Sequence, residues 1–357
     1  MRIYFILTDS TKNIVGGYKI VYIYANELAN IGYDVEIIYR CYQEYDGICK
    51  KLINYLYRYM YAKMPIAWFK LSKNIKRKLS FGLKKDISNS IIFATACSTA
   101  EEIHRLGLDK SNKILYLIQD YETWTRPEKF INNTFKYFDY NIVIAKWLEK
   151  IVNIYSKSKA IYIPNGINTN IFYCKTQFLK RRRHSIAMLY HTQERKGAKE
   201  GLKAIFIIKE IYPDLTVDLF GSPDRPKDLP KWINYKQNAN QTEVANIYNR
   251  NCIYLMPSRR EGFGLPGLEA LACGCVLVTT PCQGVDDYAV NGVNAVVMNG
   301  FAYGDIVESI KMCFESWEMM ISLSNNAEIS GRKFSMKKSC EKVKLMVNKI
   351  ALELVTE

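Results

Sequence analysis

The sequence predicts an α/β protein built as two doubly wound domains, and three observations carry that expectation. Short apolar runs of buried-strand type recur along the chain, helix-like stretches fall between most of them, and one strongly basic stretch interrupts the alternation before it resumes. Alternation of this kind argues for parallel sheets with helices on both faces. At 357 residues the chain is too long for one ordinary core and comfortable for two.

RIYFIL (2–7) reads as the first buried strand, and YKIVYIYANELANIG (18–32) follows with helical spacing. Gly32 stands where a C-cap glycine belongs, and DVEIIY (34–39) alternates into a second strand. SIIFAT (90–95), KILYLIQ (113–119), NIVIA (141–145) and AIYIP (160–164) continue the first sheet. After the basic stretch, SIAMLY (185–190), LTVDLFG (215–221), CIYLM (252–256), CVLVT (275–279) and NAVVM (294–298) supply the second. The expected boundaries are a first domain over 1–173, a basic linker over 174–185, a second domain over 186–335, and a helix over 336–357 that can pack on either domain, back on the first among them. Open parallel sheets bind ligands beyond the carboxyl ends of their strands, so the site is expected in a cleft between the halves.

Nearly half the residues are hydrophobic, which excludes a disordered chain. Lys and Arg number 50 against 35 Asp and Glu, a net charge of +15 that favours an anionic partner: nucleic acid, a phosphorylated metabolite or an acidic membrane surface. The apolar start before Thr8 is too short for a secretory signal, and no uncharged run reaches the roughly eighteen residues a membrane-spanning helix needs. The ten cysteines are scattered, as reduced thiols of a cytoplasmic protein would be. His104, His184 and His191 form no spaced ligand set, so no metal is expected, and no other cofactor.

The chemistry concentrates in REGFGLPGLEALACG (260–274), where Glu261 and Glu269 bracket Gly262, Gly264, Pro266 and Gly267. Glycine and proline disfavour a helix interior, so the run reads as a strand-to-helix loop with Pro266 in the first helical turn. Glycines allow close approach to a ligand, and a helix N-terminus beside them favours a diphosphate. A carboxylate is acceptor-only and suits a diol. Two carboxylates around a phosphate loop therefore point to a nucleotide carrying a sugar at each end.

EGFGLPGLEALACG resembles the signature of glycosyltransferase family 4, the retaining, nucleotide-sugar enzymes of group 1 with the GT-B fold, two Rossmann-like domains facing across a cleft. VGGYKIVYIYANELANIGYDV (15–35), IYIPNGINTNIF (161–172), ERKG (194–197) and PCQGVDDYAVNGVNAVV (281–297) resemble further family segments in the expected order. The resemblance implies that Glu261 contacts the transferred sugar and Glu269 the ribose. It also implies that backbone amides around Phe263, Gly264 and Leu265, with Lys196, hold the diphosphate, and that Gly16 and Gly17 approach it from the other domain. A compact cation at Lys196 would stabilise charge building on the leaving group. The sequence departs from the family pattern at His191, where an Arg is usual and Arg195 is the candidate substitute. A second departure is Gln119 in LIQDYETW (117–124), where many members carry a histidine. Gln119 cannot act as acid or base, which fits a front-face reaction in which the leaving phosphate takes the acceptor proton. Asp120 and Tyr121 remain candidates for positioning sugar or acceptor, with Asp120 as nucleophile a further option.

Residues 47–85 contain eleven cations and no acid, interleaved with aromatics. In AWFKLSKNIKRKL (67–79), Phe69, Ile75 and Leu79 can share one face of a helix suited to an anionic bilayer. A solvated basic surface is the plain alternative, and single-stranded nucleic acid a third, although no nucleic-acid-binding module is present. The leading expectation is a metal-independent retaining glycosyltransferase, peripheral on the cytoplasmic face of the membrane. It would move a hexose or deoxyhexose from a nucleotide-diphosphate sugar to a lipid-linked or polysaccharide precursor of a surface glycan such as capsule or O-antigen. A rhamnosyltransferase using a thymidine diphosphate donor, a nucleotide-sugar epimerase and a non-enzymatic basic scaffold are the alternatives. NIVGGYK (13–19) lacks the G-x-G-x-x-G spacing of a dinucleotide oxidoreductase.

Overall fold

The computed structural model describes residues 1–9, 16–40, 55–56, 58–60, 62–80, 83 and 86–356. They form two compact units, Met1–Pro164 with Ser339–Glu357, and Asn165–Lys338.

The first unit is built on β1 (Arg2–Leu7), β2 (Asp34–Arg40), β3 (Lys76–Ser80), β4 (Ser90–Ala94), β5 (Asn112–Ile118), β6 (Tyr140–Val143) and β7 (Ile161–Tyr162). Their order is β3-β2-β1-β4-β5-β6-β7, and every pairing is parallel. The central strands are continuous apolar runs because both faces are covered, and Phe5 of β1 stacks on Phe93 of β4 with ring centroids 4.5 Å apart. Helices α1 (Gly16–Asn30), α2 (Cys97–Leu106), α3 (Glu128–Thr134) and α4 (Lys146–Tyr155) connect them.

The second unit repeats the plan with β8 (Ser185–Leu189), β9 (Thr216–Gly221), β10 (Ile233–Gln237), β11 (Ile253–Met256), β12 (Val276–Thr279) and β13 (Ala295–Val297), in the order β10-β9-β8-β11-β12-β13. Its pairings are again parallel. Its helices are α5 (Ala198–Ile211), α6 (Gln241–Arg250), α7 (Leu265–Ala272), α8 (Tyr303–Glu315) and α9 (Trp317–Arg332). The final helix, α10 (Met336–Thr356), enters the first unit, where Ser339 Oγ donates to the Pro164 carbonyl at 2.6 Å, Tyr33 Oη to Asn348 Oδ1 at 2.8 Å and Tyr140 Oη to Glu353 Oε2 at 2.7 Å.

Three expectations are corrected. Lys76–Ser80 is not part of an amphipathic helix over 67–79: it is edge strand β3, in register with β2 from Glu36↔Lys76 to Arg40↔Ser80. Its alternating lysines suit an edge, where charge discourages further pairing, and pairing to β2 overrides the helical spacing. The second missed strand, β10, is also a polar edge. The boundary falls after Pro164, not after residue 173, and 174–185 is no linker. Phe178 joins the apolar core of the second unit. Arg181, only 6% exposed, donates to the carbonyls of Asn251 at 3.0 Å, Cys273 at 2.6 Å and Gly274 at 3.2 Å. The basic stretch expected as a linker thus includes one guanidinium closing the C-terminal ends of α6 and α7, where orphan carbonyls and the helix dipole favour a cation.

Candidate active site

The second sheet reverses its strand order between β8 and β11, the place where doubly wound sheets bind ligands. The chain leaving β8 turns through Glu194–Lys196 into α5, and the chain leaving β11 runs Pro257–Ser258–Arg259–Arg260–Glu261 toward α7. The two loops are laced together. Arg259 N donates to the Arg195 carbonyl at 2.8 Å. Gly197 is left-handed at φ +65°, and a Cβ there would fall 1.9 Å from the Pro257 carbonyl oxygen. Only glycine fits both demands.

That contact sets Lys196 on Glu261. The Lys196 ammonium donates to Glu261 Oε1 at 2.7 Å and Oε2 at 2.8 Å, and Ser258 Oγ donates to Oε1 at 2.7 Å. Glu261 is 6% exposed and the Lys196 side chain 14%. A pair this deep stands only because each partner compensates the other's lost hydration. His191, at the end of the β8 turn, accepts a bond from Gln193 N on Nδ1 at 3.0 Å. Burial first, then the charges of Lys196 and Arg195, hold its pKa below the ordinary value. His191 is therefore a neutral ring at pH 7, with its proton on Nε2, and not a second cation. Arg195 reaches toward the Arg260 carbonyl, Nη1 to oxygen 3.5 Å.

The helix that carries Glu269 starts at Gly264, left-handed at φ +72°, with Pro266 in its first turn. The backbone amides of Phe263, Gly264 and Leu265 meet no acceptor among the described residues. Helix-start amides in that state make an anion site. The glycines have a further reason. Tyr288 Oη donates to the Gly264 carbonyl at 2.5 Å, and a Cβ on either Gly264 or Gly267 would approach that hydroxyl to 2.7 Å. They admit a tyrosine beneath the loop. Phe263 turns its ring inward toward Tyr288 and Phe334, centroids 5.6 and 6.1 Å away. Glu269 is 8% exposed. Tyr254, buried on β11, lies near both carboxylates: burial, then Glu261, then Glu269 push its hydroxyl well above the ordinary value.

The second unit thus brings Lys196, Arg195, His191, Glu261, Phe263, Gly264, Leu265 and Glu269 into neighbouring loops and one helix start. Gly16, Gly17 and Asp120 belong to the first unit. A Cβ on Gly17 would lie 3.2 Å from the Gln119 amide nitrogen, so the α1 glycine makes room for the side chain that replaces the expected histidine. Asp120 Oδ1 accepts its neighbour's amide, Tyr121 N, at 2.8 Å, the use of a turn-forming carboxylate. Sequence reasoning missed Ser258, Tyr288 and Arg181, none of which belongs to a spaced motif. Among the described residues no cluster of His, Cys, Asp and Glu could hold a metal ion, and no helix is long and apolar enough to cross a membrane.

Residues 176–330 match the family model of glycosyl transferases group 1. An uncharacterized glycosyltransferase of Methanocaldococcus jannaschii is 26% identical over 62% of this chain and 62% of that protein. The alpha-monoglucosyldiacylglycerol synthase of Acholeplasma laidlawii is 26% identical over 55% of each. The chain thus spans less than two thirds of the length of these relatives. Sucrose-phosphate synthase from Thermosynechococcus elongatus superposes with a TM-score of 0.73 over 98% of both chains at 14% identity. Anabaena HepE in complex with UDP-glucose superposes at 0.69, over 98% of this chain and 100% of that one, at 12% identity. Residues 176–330 therefore match the glycosyl transferases group 1 family, in a chain whose two doubly wound units have the GT-B architecture.

Proposed function

We propose that the protein is a retaining, metal-independent glycosyltransferase that moves a hexose or deoxyhexose from a nucleotide-diphosphate sugar to a lipid-linked precursor of a surface glycan. The observation that carries this reading is the Lys196–Glu261 pair beside the unpaired amides at the start of α7. A diphosphate on those amides would draw Lys196, with Arg195 as the second cation. Glu261 would accept sugar hydroxyls and Glu269 the ribose diol. The C1–O bond to the β-phosphate breaks, the acceptor oxygen bonds C1 from the same face, and its proton passes to the departing phosphate oxygen. Gly16 and Gly17 at the start of α1, and Asp120 after β5, are the first unit's proposed contacts to donor, sugar or acceptor. Similar proteins are consistent with this class of donor and acceptor: HepE was crystallised with UDP-glucose, and a Campylobacter jejuni relative, 32% identical over 24% of this chain, is named for a diphospho-undecaprenol acceptor.

The membrane part of the reading rests on the first unit. Leu56, Tyr59, Met60 and Met64 are 52%, 45%, 55% and 49% exposed, at the spacing of one helical face. Lys63, Lys70, Lys73, Lys76 and Lys78 are exposed nearby in the chain. Each cation close to an anionic leaflet contributes about 1 kcal/mol. Lys50, Lys51, Lys84 and Lys85, with Tyr57, Tyr61 and Phe81, lie outside the described residues.

The test is turnover of UDP-, GDP- and dTDP-sugars in chelator, with lipid-linked acceptors in anionic vesicles and NMR of the new linkage. The account predicts acceptor-dependent release of one nucleoside diphosphate with the donor's anomeric configuration retained. Conversion of donor alone would make the protein an epimerase, and no turnover or binding of any donor would leave a basic scaffold.

A further inference from the structure

Glu261 is held from outside its own motif. Its amide donates to the Cys282 carbonyl at 3.3 Å, and a Cβ on Gly284 would collide with its carbonyl oxygen at 2.5 Å and its Cβ at 2.7 Å. The turn that presses there, 280–284, is closed by Gly284 N on the Cys282 carbonyl at 2.7 Å and carries Gln283 in the left-handed region at φ 61°. Thr280 Oγ1 from the same turn donates to the carbonyl of Ser258. Ser258 is 3% exposed and fixed at both ends: its carbonyl takes Thr280, and its hydroxyl gives to Glu261 Oε1.

The acceptor inventory of the carboxylate gives that hydroxyl a purpose. An ionised carboxylate offers about four acceptor positions, two on each oxygen. Lys196 occupies one on each, and Ser258 fills the second on Oε1. Among the described residues one position stays open, on Oε2. The terminal torsion of a glutamate is broad and roughly two-fold, so Lys196, which touches both oxygens alike, cannot choose between them. A neutral hydroxyl held by its own backbone can. It also stays in place when a diphosphate draws Lys196 away.

We infer that Ser258 is a positioning residue that engages Glu261 Oε1 and so presents Oε2 as the more open acceptor for a hydroxyl of the transferred sugar. The inference rests on the reading of the second unit as a sugar-nucleotide site. It separates two affinities that site would otherwise lose together. The sugar half of the donor depends on the aim of Glu261, whereas the diphosphate half depends on α7 amides and Lys196.

The test compares wild type with S258A and S258T, measuring kcat, KM, affinity for the sugar nucleotide, and affinity for the bare nucleoside diphosphate. S258A is expected to fold, with its Tm lowered by the loss of one buried hydrogen bond to a charged group, and to bind the bare nucleoside diphosphate as wild type does. It should lose about tenfold in kcat/KM and in affinity for the sugar nucleotide, the scale of one hydrogen bond to a charged group. S258T keeps the hydroxyl and should recover most of that loss. S258C, nearly isosteric with a weak donor, should fall between. A wild-type kcat/KM in S258A would overturn the inference while leaving the donor site intact, as would loss of both affinities in step. A wild-type protein that binds no sugar nucleotide would overturn the donor site and the inference with it.

Discussion

In both units the sheet reverses its strand order between its first strand and the next one across, β1/β4 in one and β8/β11 in the other, yet the loops at these places use different chemistry. In the second unit they converge on charge removed from water: Lys196 on Glu261, Ser258 behind it, and a helix start with open amides. In the first unit, residues that follow β4 and β5 meet through helix capping. Glu122 Oε2 accepts the amide of Cys97 at the start of α2 at 2.9 Å, and burial above all raises its pKa. That carboxylate occupies the place an anionic ligand would need at α2. One plan of strands therefore supports open helix-start amides in one unit and, at α2, a capped helix start in the other, because side chains at the strand ends decide the difference, not the topology.

The comparison breaks most sharply at Lys196. Lys196→Ala should lower kcat by about 10²- to 10³-fold, the scale of one lost oxyanion-stabilising contact. It should also destabilise the fold by leaving Glu261 buried without its cation. The double variant K196A/E261Q should recover the Tm and not the turnover; recovery of both would make the pair structural. Arg181→Met leaves the carbonyls of Asn251, Cys273 and Gly274 without their donor, so it should cost about 3 kcal/mol of stability. Thermal melts would show this, and a shift of less than a degree would return Arg181 to the expected linker role. Glu269→Ala should weaken nucleoside diphosphate binding by about 10- to 100-fold through the lost charged hydrogen bonds. Asp120→Ala in the first unit should change kcat/KM by less than about fivefold, since its carboxylate already serves its own turn; a loss of 10²-fold would move catalytic weight into that unit.

The smallest effect concerns pH. His191 has a folded pKa below its unfolded value of about 6.5. Between those two values the unfolded chain binds more protons, so stability is full above about 6.5 and falls as the pH drops from there to the folded pKa. His191→Gln should flatten this acid limb in Tm measured against pH.

Much of this was legible in the residues. Buried parallel strands write themselves as apolar runs, so RIYFIL, SIIFAT and CVLVT declared their places, and the signature at 260–274 pointed to the loops proposed as the site. Lys76–Ser80 and Ile233–Gln237 did not declare theirs, because an edge strand keeps one side in water and needs no apolar run. The basic stretch at 174–185 misled for a related reason: composition counts charges but does not say which guanidinium will find buried carbonyls. Ser258 and Tyr288 were invisible because their roles exist only once β11, α7 and the 280–284 turn have met.

The central claim is that the α7 helix start, with Lys196 and Glu269, holds a nucleoside diphosphate without a metal. Calorimetric titration of uridine, guanosine, thymidine and adenosine diphosphates into the wild type and into Glu269→Ala, in chelator, tests it directly. The account predicts saturable binding of one of them and at least a tenfold weakening in the variant. A well-folded wild type that binds none, or a variant that binds as tightly as the wild type, would contradict it.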